Sequence, residues 1–508
     1  MWSKPFVTAF VIAVTVSGTA HAQSTLADRI QAGDRNTALA MIAQGSDVNR
    51  AQADGTTPLH WAAYRVDREV VQALLKKGAR ANVVNKYGAS PLAEAVRVAN
   101  PELVELLLNA GANVNAANED DQTPLMLAAR TGNVAVARLL VQHGADVNRR
   151  EKYRDQSAVM WASAEGHADM VRFLVETGAD LTVRAKANDW RTQISNEPRV
   201  QYRPTGGLTP LLYAARAGCA GCVKAIVDGG ADVDRPNPDG MTPMMMALDN
   251  GHPDVALFLL QRGANPHTWD WWGRTALYVA VTMRGGPDSR PGPRTPESLA
   301  FINALLEAGV NPNPQLSFKE PSRGGRDNRF RDDLLTTGAT PLLRAAQTFD
   351  NEVVKALLAH GALVDLPNAS GVTPFMTAAG VGTRNGSGVL GPGPPPNVVA
   401  LSLETMEILR QAGADINARI SDVTSLTARI ARTNTMTDRQ GQTALFLAAE
   451  TGRTEVVRYL LEHGARVDIK DDMGRTPIDV IKGSEGGKDA ARSGEVVTLL
   501  RGAAGTPK

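Results

Sequence analysis

The stretch that decides the fold is Thr57-Pro58-Leu59-His60-Trp61-Ala62-Ala63, followed by Val70-Val71-Gln72-Ala73-Leu74-Leu75 and then by Gly78. Threonine caps helices and proline is tolerated in their first turn, so the first segment predicts a short helix that begins at Pro58. The second segment carries aliphatic residues at helical spacing, and Gly78 can adopt the left-handed conformation that ends a helix. The stretch therefore predicts two short helices joined by a tight turn.

The same pattern recurs along nearly the whole chain. Each copy opens on a threonine or serine, and these anchors lie at positions 57, 90, 123, 157, 209, 242, 275, 340, 373, 443 and 476. Neighbouring anchors are most often 33 residues apart. One helix pair of this size cannot bury both of its faces, so adjacent copies must stack into a one-dimensional array.

A period of 33 residues that carries Thr57-Pro58-Leu59-His60 resembles the ankyrin repeat. The resemblance implies an all-α repeat solenoid of about 12 copies, each with a β-turn and two antiparallel helices. The chain is similar to exported, bacterial-type members with long insertions between repeats. Ankyrin proteins usually bind ligands at the tips of the β-turns, called fingers, and on the concave face of the first helices.

The spacing of the anchors also predicts the domain organisation. We expect a signal peptide over 1–22, a degenerate N-terminal capping repeat over 23–53, ankyrin repeats over 54–182, a finger insertion over 183–206, ankyrin repeats over 207–283, a repeat interrupted by two insertions over 284–337, ankyrin repeats over 338–379, a second repeat interrupted by two insertions over 380–438, and the final repeats with a C-terminal cap over 439–508.

The amino terminus predicts export. Lys4 precedes an apolar run over 6–16, and Ala20-His21-Ala22 is a small-x-small motif, so we expect a signal peptide that is cleaved after Ala22. The alternative is a buried amino-terminal helix. No later stretch is long and apolar enough to span a membrane, which favours a periplasmic or secreted protein. With 54 basic and 53 acidic residues, the chain has no general attraction to nucleic acid.

Signals for catalysis and cofactors are weak. Gly386-Ser387-Gly388-Val389-Leu390-Gly391 matches a phosphate-binding motif in letters, but a proline-rich segment follows where the motif needs a helix. The histidines are scattered among repeat positions and form no metal-ligand pattern. We therefore predict that the protein has no catalytic residues, no cofactor and no metal, and that it is not an enzyme.

One chemically suggestive pair is Cys219-Ala220-Gly221-Cys222, near the start of a second helix. Three interpretations stay open. The two cysteines could close a structural disulfide, pack as two small residues, or serve thioredoxin-like redox chemistry or metal binding.

A binding surface is predicted at Trp269-Asp270-Trp271-Trp272-Gly273-Arg274, where other fingers carry mainly polar residues. Tryptophan and arginine dominate binding hot spots, although these rings could instead pack against neighbouring segments. By resemblance to ankyrin proteins, the protein-binding residues are Trp269, Trp271, Trp272 and Arg274, with Thr282 and Met283 after the following helix, and Tyr64 and Arg65 in an earlier copy.

These features predict a non-catalytic scaffold or binding module that is exported from the cytoplasm and binds another protein, in the cell envelope. Two alternatives remain. The chain could be an accessory protein of an exported enzyme, with a ligand site formed by the insertions, or a thiol-redox helper that uses Cys219 and Cys222.

Overall fold

The structure is a computed structural model that describes residues 24–190, 203–285, 294–317, 337–380, 398–421, 439–481 and 488–504. The predicted signal peptide, most of the residues of the predicted insertions, and the glycine-rich match over 386–391 lie outside the described residues. The chain divides into two compact units, Met1–Asp146 and Val147–Lys508, which we describe separately.

The first unit consists of paired helices in its described part. They are α1 (Leu26–Ala32), α2 (Arg35–Ala43), α3 (Pro58–Tyr64), α4 (Arg68–Lys76), α5 (Pro91–Arg97), α6 (Pro101–Asn109), α7 (Pro124–Thr131) and α8 (Val134–Gln142). The first helices of successive pairs pack against one another, from α1 to α7, and the second helices do the same, from α2 to α8. Each pair therefore buries its faces only by stacking on its neighbours.

The second unit repeats this arrangement. Its helices are α9 (Ala158–Ala164), α10 (Ala168–Glu176), α11 (Pro210–Ala217), α12 (Ala220–Asp228), α13 (Pro243–Asp249), α14 (Pro253–Gln261), α15 (Ala276–Gly285), α16 (Pro296–Glu307), α17 (Pro341–Gln347), α18 (Asn351–Ala359), α19 (Pro374–Ala378), α20 (Val398–Gln411), α21 (Ala444–Glu450), α22 (Thr454–Glu462) and α23 (Lys488–Ala504). First helices from α9 to α19 pack in one row, and second helices from α10 to α20 pack in another.

Most of the threonine and serine anchors act as helix caps through their side chains. The hydroxyl of Thr123 accepts a hydrogen bond from the main-chain N–H of Met126 at 3.3 Å, and Pro124 fills the first helical position of α7. At the other end, Gly132 has φ of 71° and terminates the helix in the left-handed region. Small residues such as Ala62 and Ala63 are fully buried, which lets neighbouring first helices approach closely.

An asparagine clamp links successive repeats. The carboxamide of Asn82 donates to the carbonyl of Gly111 at 2.9 Å, and its oxygen accepts the main-chain N–H of Asn113 at 2.6 Å. The same donor bond joins Asn49 to Gly78, Asn82 to Gly111, Asn115 to Gly144, Asn148 to Gly178, Asn313 to Gly361 and Asn417 to Gly464. Each clamp holds the turn of one repeat against the glycine that ends a second helix of the next.

Two of the departures from the repeating pattern among the described residues lie in the predicted finger insertion and after the last anchor. In the predicted finger insertion, β1 (Ala187–Trp190) pairs antiparallel with β2 (Arg203–Gly206), with Ala187 opposite Gly206. After the last anchor, residues 477–480 form turns rather than a helix. There the carboxylate of Asp479 accepts hydrogen bonds from the N–H and the hydroxyl of Thr476.

Candidate protein-binding surfaces

The first surface is a cavity of about 300 Å³ in the first unit. It lies between α3, α5 and the fingers that precede them. Trp61 and Tyr64 follow the cap of α3 by four and seven residues, and Glu94 and Arg97 occupy the same offsets after the cap of α5. Equal offsets place side chains on equivalent helix faces. We call the cavity the aromatic pocket and define it by Asp54, Trp61, Tyr64, Tyr87, Glu94 and Arg97.

Rings and charges are ordered in the aromatic pocket. The rings of Trp61 and Tyr64 meet edge to face, with centroids 5.9 Å apart, and the indole N–H of Trp61 donates to Gln52 at 2.7 Å. The guanidinium carbon of Arg97 lies 5.1 Å from the centroid of the Tyr64 ring. Arg97 also donates to a carboxylate oxygen of Glu94, from Nε at 3.1 Å. The aromatic pocket therefore already holds one cation by an aromatic face and a carboxylate.

His60 forms part of the buried base of this cavity. Its Nδ1 accepts the main-chain N–H of Thr57 at 3.1 Å, so the proton resides on Nε2, which donates to the carbonyl of Ala89 at 2.9 Å. Burial lowers the pKa of His60, which keeps the ring neutral near pH 7. Nδ1 thus binds the cap of its own helix and Nε2 binds the next finger, so His60 has a structural role.

Asp54 is ionised in the same cavity. Its carboxylate accepts the main-chain N–H of Thr56 at 2.9 Å, and this hydrogen bond holds the pKa of Asp54 below its usual value. Together with Glu94, Asp54 supplies two carboxylates against the one guanidinium of Arg97. The walls of the aromatic pocket thus carry a net negative charge.

The sequence analysis predicted that Tyr64 and Arg65 bind a partner protein, and both side chains are exposed in the structure. Arg65 is held by a hydrogen bond from its guanidinium to the carbonyl of Gln31. The sequence interpretation missed Trp61, Tyr87 and Glu94. A comparison of residues at equal offsets from the anchors would have shown that Trp61 and Glu94 share one face.

The second surface is the finger that precedes α15, which we call the tryptophan finger and define as residues 268–275. The carboxylate of Asp270 accepts the main-chain N–H groups of Trp272 at 3.0 Å and Arg274 at 2.9 Å, while Trp269 and Thr275 face each other in an isolated antiparallel bridge. The same turn is built on asparagine or aspartate at the start of other fingers, including Asn85, Asn118, Asn237, Asn368 and Asp471.

Of the three tryptophans in this finger, two are exposed. Trp269 is 70% exposed and Trp271 is 46% exposed, whereas Trp272 is 4% exposed. The carbonyl of Trp272 accepts the N–H of Ser317 at 2.8 Å, so a later segment of the chain covers this part of the turn. The prediction that Trp272 contacts a partner directly therefore needs correction, because its side chain is buried.

Arg274 needs the same correction. Its side chain is 8% exposed and lies over Trp272, 4.9 Å from a ring centroid. Nε donates to Asp270 at 2.7 Å, and Nη1 donates to Asp249 at 3.1 Å. Burial raises the pKa of Asp270, although Arg274 acts in the opposite direction. Arg274 thus pairs with two buried carboxylates and links the tryptophan finger to the end of α13.

Thr282 and Met283 do not follow the helix as predicted. They lie within α15, which extends to Gly285, and Thr282 is 9% exposed. Met283 lines an apolar cavity of about 120 Å³ with Phe301. Beside them, Arg284 is buried and donates to Asp350 at 3.0 Å. The helix is longer than the pattern implied and is packed on this side, so the prediction of a partner contact at Thr282 is corrected.

The two cysteines form a disulfide, Cys219–Cys222, at the start of α12. Cys219 occupies the cap position, and its sulfur accepts the main-chain N–H of Cys222 at 3.1 Å. Asp67 and Asn100 make the equivalent bond through oxygen at the start of α4 and α6. The cross-link therefore stands where other repeats use a polar cap.

Within the described residues, no group of histidine, cysteine, aspartate and glutamate side chains is arranged to hold a metal ion. A search of the same residues for a helix with the length and hydropathy of a membrane span found none.

Comparison with known families identifies the repeats. A model described as ankyrin repeats in three copies matches residues 26–118, 100–185, 191–270 and 419–500, and a single ankyrin repeat matches residues 337–369. Together the matched residues make up well over half of the chain, and they include both units. The predicted fold of stacked ankyrin repeats is confirmed, with the short β1–β2 pair as an addition.

Two of the similar proteins are from vertebrates. The chain is 31% identical over 303 residues to the B-cell lymphoma 3 protein homolog of Mus musculus, which covers 59% of this chain and 51% of that protein. It is 25% identical over 293 residues to the putative palmitoyltransferase ZDHHC13 of Danio rerio, over 56% of this chain and 34% of that protein. The chain thus spans between about a third and a half of the length of these relatives.

Among solved structures, the human ASB11 ankyrin repeat domain is similar over 48% of this chain and 100% of its own, at 24% identity and a TM-score of 0.39.

Proposed function

Because the chain belongs to the ankyrin repeat family, whose repeats are protein-interaction modules, we propose that it is a non-catalytic binding module that is exported and holds a partner protein at the aromatic pocket and the tryptophan finger. One observation carries the proposal. Large aromatic side chains are exposed on elements that are held rigidly, namely Tyr64 and Tyr87 in the first unit and Trp269 and Trp271 in the second.

Exposed aromatic rings of this kind are suited to binding. A tryptophan or tyrosine ring buries a large area with few rotatable bonds, so contact with a partner gains much apolar burial for little lost side-chain entropy. The Asp270 carboxylate holds the tryptophan finger before any partner arrives, which lowers the ordering cost of association. The energy of binding should therefore concentrate at these rings.

Export is the second part of the proposal. It is supported by the small-x-small motif that ends at Ala22, after the apolar run over 6–16, and by the Cys219–Cys222 disulfide, since disulfides persist in oxidising compartments. Amino-terminal sequencing of the protein from its own cells tests this part. A mature chain that begins at Gln23 in the periplasmic or secreted fraction is expected, and an uncleaved chain that stays in the cytoplasm would contradict export.

The binding proposal is tested by affinity capture of the tagged mature chain from its own cell envelope, with bound proteins quantified by mass spectrometry. We expect Trp269→Ala with Trp271→Ala, or Tyr64→Ala with Tyr87→Ala, to reduce retention of the main partner at least about tenfold, which corresponds to 1.4 kcal/mol. Leu363→Ala with Met473→Ala is the control, because both side chains are apolar and exposed, at 57% and 65%, but neither is aromatic. Equal retention by both double variants and the control would refute the placement of the surface.

A thiol-redox helper is the second candidate, and the disulfide at the start of α12 favours it. A helix amino terminus stabilises a thiolate, so such a helper needs an accessible Cys219 thiol with a lowered pKa once the bond is reduced. Alkylation rates measured against pH after mild reduction test this. A disulfide that resists mild reductant, or a Cys219 that reacts no faster than a free thiol, would exclude it. An accessory site built by the insertions remains a hypothesis whose residues lie mostly outside the described part of the chain.

A further inference from the structure

Resting on the proposed binding function, we propose that the aromatic pocket of the first unit receives a single lysine or arginine side chain from an exposed segment of the partner protein. The observations that carry this are the cavity itself, its rings and the sign of its charge.

The charge of the aromatic pocket favours a cation. Asp54 and Glu94 are both carboxylates, and only Arg97 opposes them among the residues that define the cavity. His60 adds no positive charge, because its Nδ1 accepts a main-chain hydrogen bond and its Nε2 donates one. An anionic side chain would therefore enter against a net negative wall, whereas a cation would balance it.

The rings of the aromatic pocket favour the same ligand. Trp61 and Tyr64 meet edge to face, and Tyr87 reaches the same cavity from the neighbouring finger, 74% exposed. Aromatic faces attract ammonium and guanidinium groups through the ring quadrupole, and tryptophan does so most strongly. Hydrogen bonding of the Trp61 indole to Gln52 fixes that ring before a ligand arrives.

Arg97 displays the binding mode within the chain. Its guanidinium stacks over Tyr64 and pairs with Glu94, which shows that this corner of the cavity accommodates a planar cation. The Arg97 side chain is 57% exposed, whereas the Glu94 side chain is 15% exposed. A partner's cation would therefore share the partly buried Glu94 carboxylate with Arg97 or displace Arg97 from it. A cavity of about 300 Å³ is at the lower end of ligand sites and suits one long side chain.

The test uses the full mature chain labelled with 5-fluorotryptophan, in which the Trp61 signal is assigned with Trp61→Phe. The probes are blocked pentapeptides, Ac-Gly-Ser-Xaa-Ser-Gly-amide, with arginine, lysine, citrulline or glutamate at the centre. Citrulline matches arginine in shape but is uncharged. We expect the arginine and lysine peptides to shift the Trp61 fluorine resonance in a saturable, salt-sensitive way, and the citrulline and glutamate peptides to bind at least about threefold more weakly.

Variants locate the interaction. We expect Glu94→Gln and Asp54→Asn each to weaken binding of the arginine peptide by about three- to tenfold, while Glu105→Gln, an exposed carboxylate on α6, leaves it unchanged. Arg97→Ala should strengthen binding, because it removes the competing guanidinium, and Arg130→Ala at the same offset in the next repeat should not.

The inference is overturned if the glutamate peptide binds as well as the arginine peptide, if no peptide shifts the Trp61 resonance, or if Arg97→Ala abolishes binding. These results would not by themselves refute the proposed function. If partner capture still depends on Tyr64 and Tyr87, the aromatic pocket remains a binding surface, but its ligand is not a cation. Conversely, if the cationic peptides bind but Tyr64→Ala with Tyr87→Ala does not reduce capture, the aromatic pocket binds cations and is not the site that holds the partner.

Discussion

Arg274 is the residue on which the tryptophan finger depends most, and Arg274→Met tests this. The guanidinium lies between Asp249 and Asp270, whose side chains are 9% and 0% exposed. Methionine has a similar length and fills much of the same space but carries no charge. The substitution therefore leaves two carboxylates buried side by side without their cation.

The expected loss follows from this imbalance. Removing one partner of a buried ion pair costs about 3–5 kcal/mol, because the remaining charge stays desolvated. We expect a loss at the lower end, about 3 kcal/mol at pH 7, since a carboxyl such as Asp270, whose pKa is already raised by burial, can escape by protonation. A carboxyl group whose pKa is raised in the folded state stabilises the fold at low pH, and this stabilisation is lost as the pH rises through that pKa. The deficit of the variant should therefore shrink between pH 7 and pH 5.

Hydrogen exchange followed by mass spectrometry measures the effect locally, on a peptide that covers the tryptophan finger. The amides of Trp272 and Arg274, which donate to Asp270, should lose protection by about a hundredfold. Arg475→Met is the matched control, because Arg475 makes the same bond to Asp471 but its side chain is 33% exposed. The side chain of its partner Asp471 is 0% exposed, so Arg475→Met removes the cation from one buried carboxylate and should cost less than Arg274→Met, which removes it from two.

Asp270→Asn completes the design. It removes one carboxylate and leaves Arg274 paired with Asp249, so it should destabilise the finger less than Arg274→Met does. If Arg274→Met costs no more than Arg475→Met, or if Asp270→Asn is the more damaging change, burial of uncompensated carboxylates is not what holds this turn.

Three further predictions concern stability. Reduction of the Cys219–Cys222 disulfide, or its replacement by two serines, should lower the free energy of unfolding of the second unit by about 2 kcal/mol in urea titrations, as expected for a four-residue loop; an unchanged urea midpoint would argue against a structural role. Asn82→Ala removes both hydrogen bonds of its clamp and should cost about 1–2 kcal/mol, with Gln72→Ala on the exposed side of α4 as the neutral control. Asp28 has a pKa below the ordinary 3.8 because Gln52 and the N–H of Thr25 donate to it, so its contribution is present above that pH and is lost as pH falls below it. Protection factors of the α1 amides, which correct for the slower intrinsic exchange in acid, should therefore fall less steeply between pH 5 and pH 2.5 in Asp28→Asn than in the wild type.

Local signals in the sequence account for most helix boundaries. A threonine before proline starts a helix wherever its hydroxyl can accept the N–H three residues later, as Thr123 does, and a glycine ends it because only glycine adopts the left-handed region without strain. These interactions span a single turn and need no tertiary partner. Thr476 shows the limit of this rule, since it also precedes a proline, yet residues 477–480 form turns and its hydroxyl donates to Asp479.

By itself, then, the sequence determined the repeat, its caps and the closeness of Cys219 and Cys222, because each depends on residues within one turn or one period. Which tryptophan faces solvent was decided only by tertiary structure: Trp272 is buried since Ser317 lies against its turn, and Arg274 is buried since it reaches Asp249 across the repeat boundary. The aromatic pocket likewise exists only after α3 and α5 stack. Burial is a property of what packs on a side chain, and for these residues the packing partner lies about 25 or more positions away along the chain.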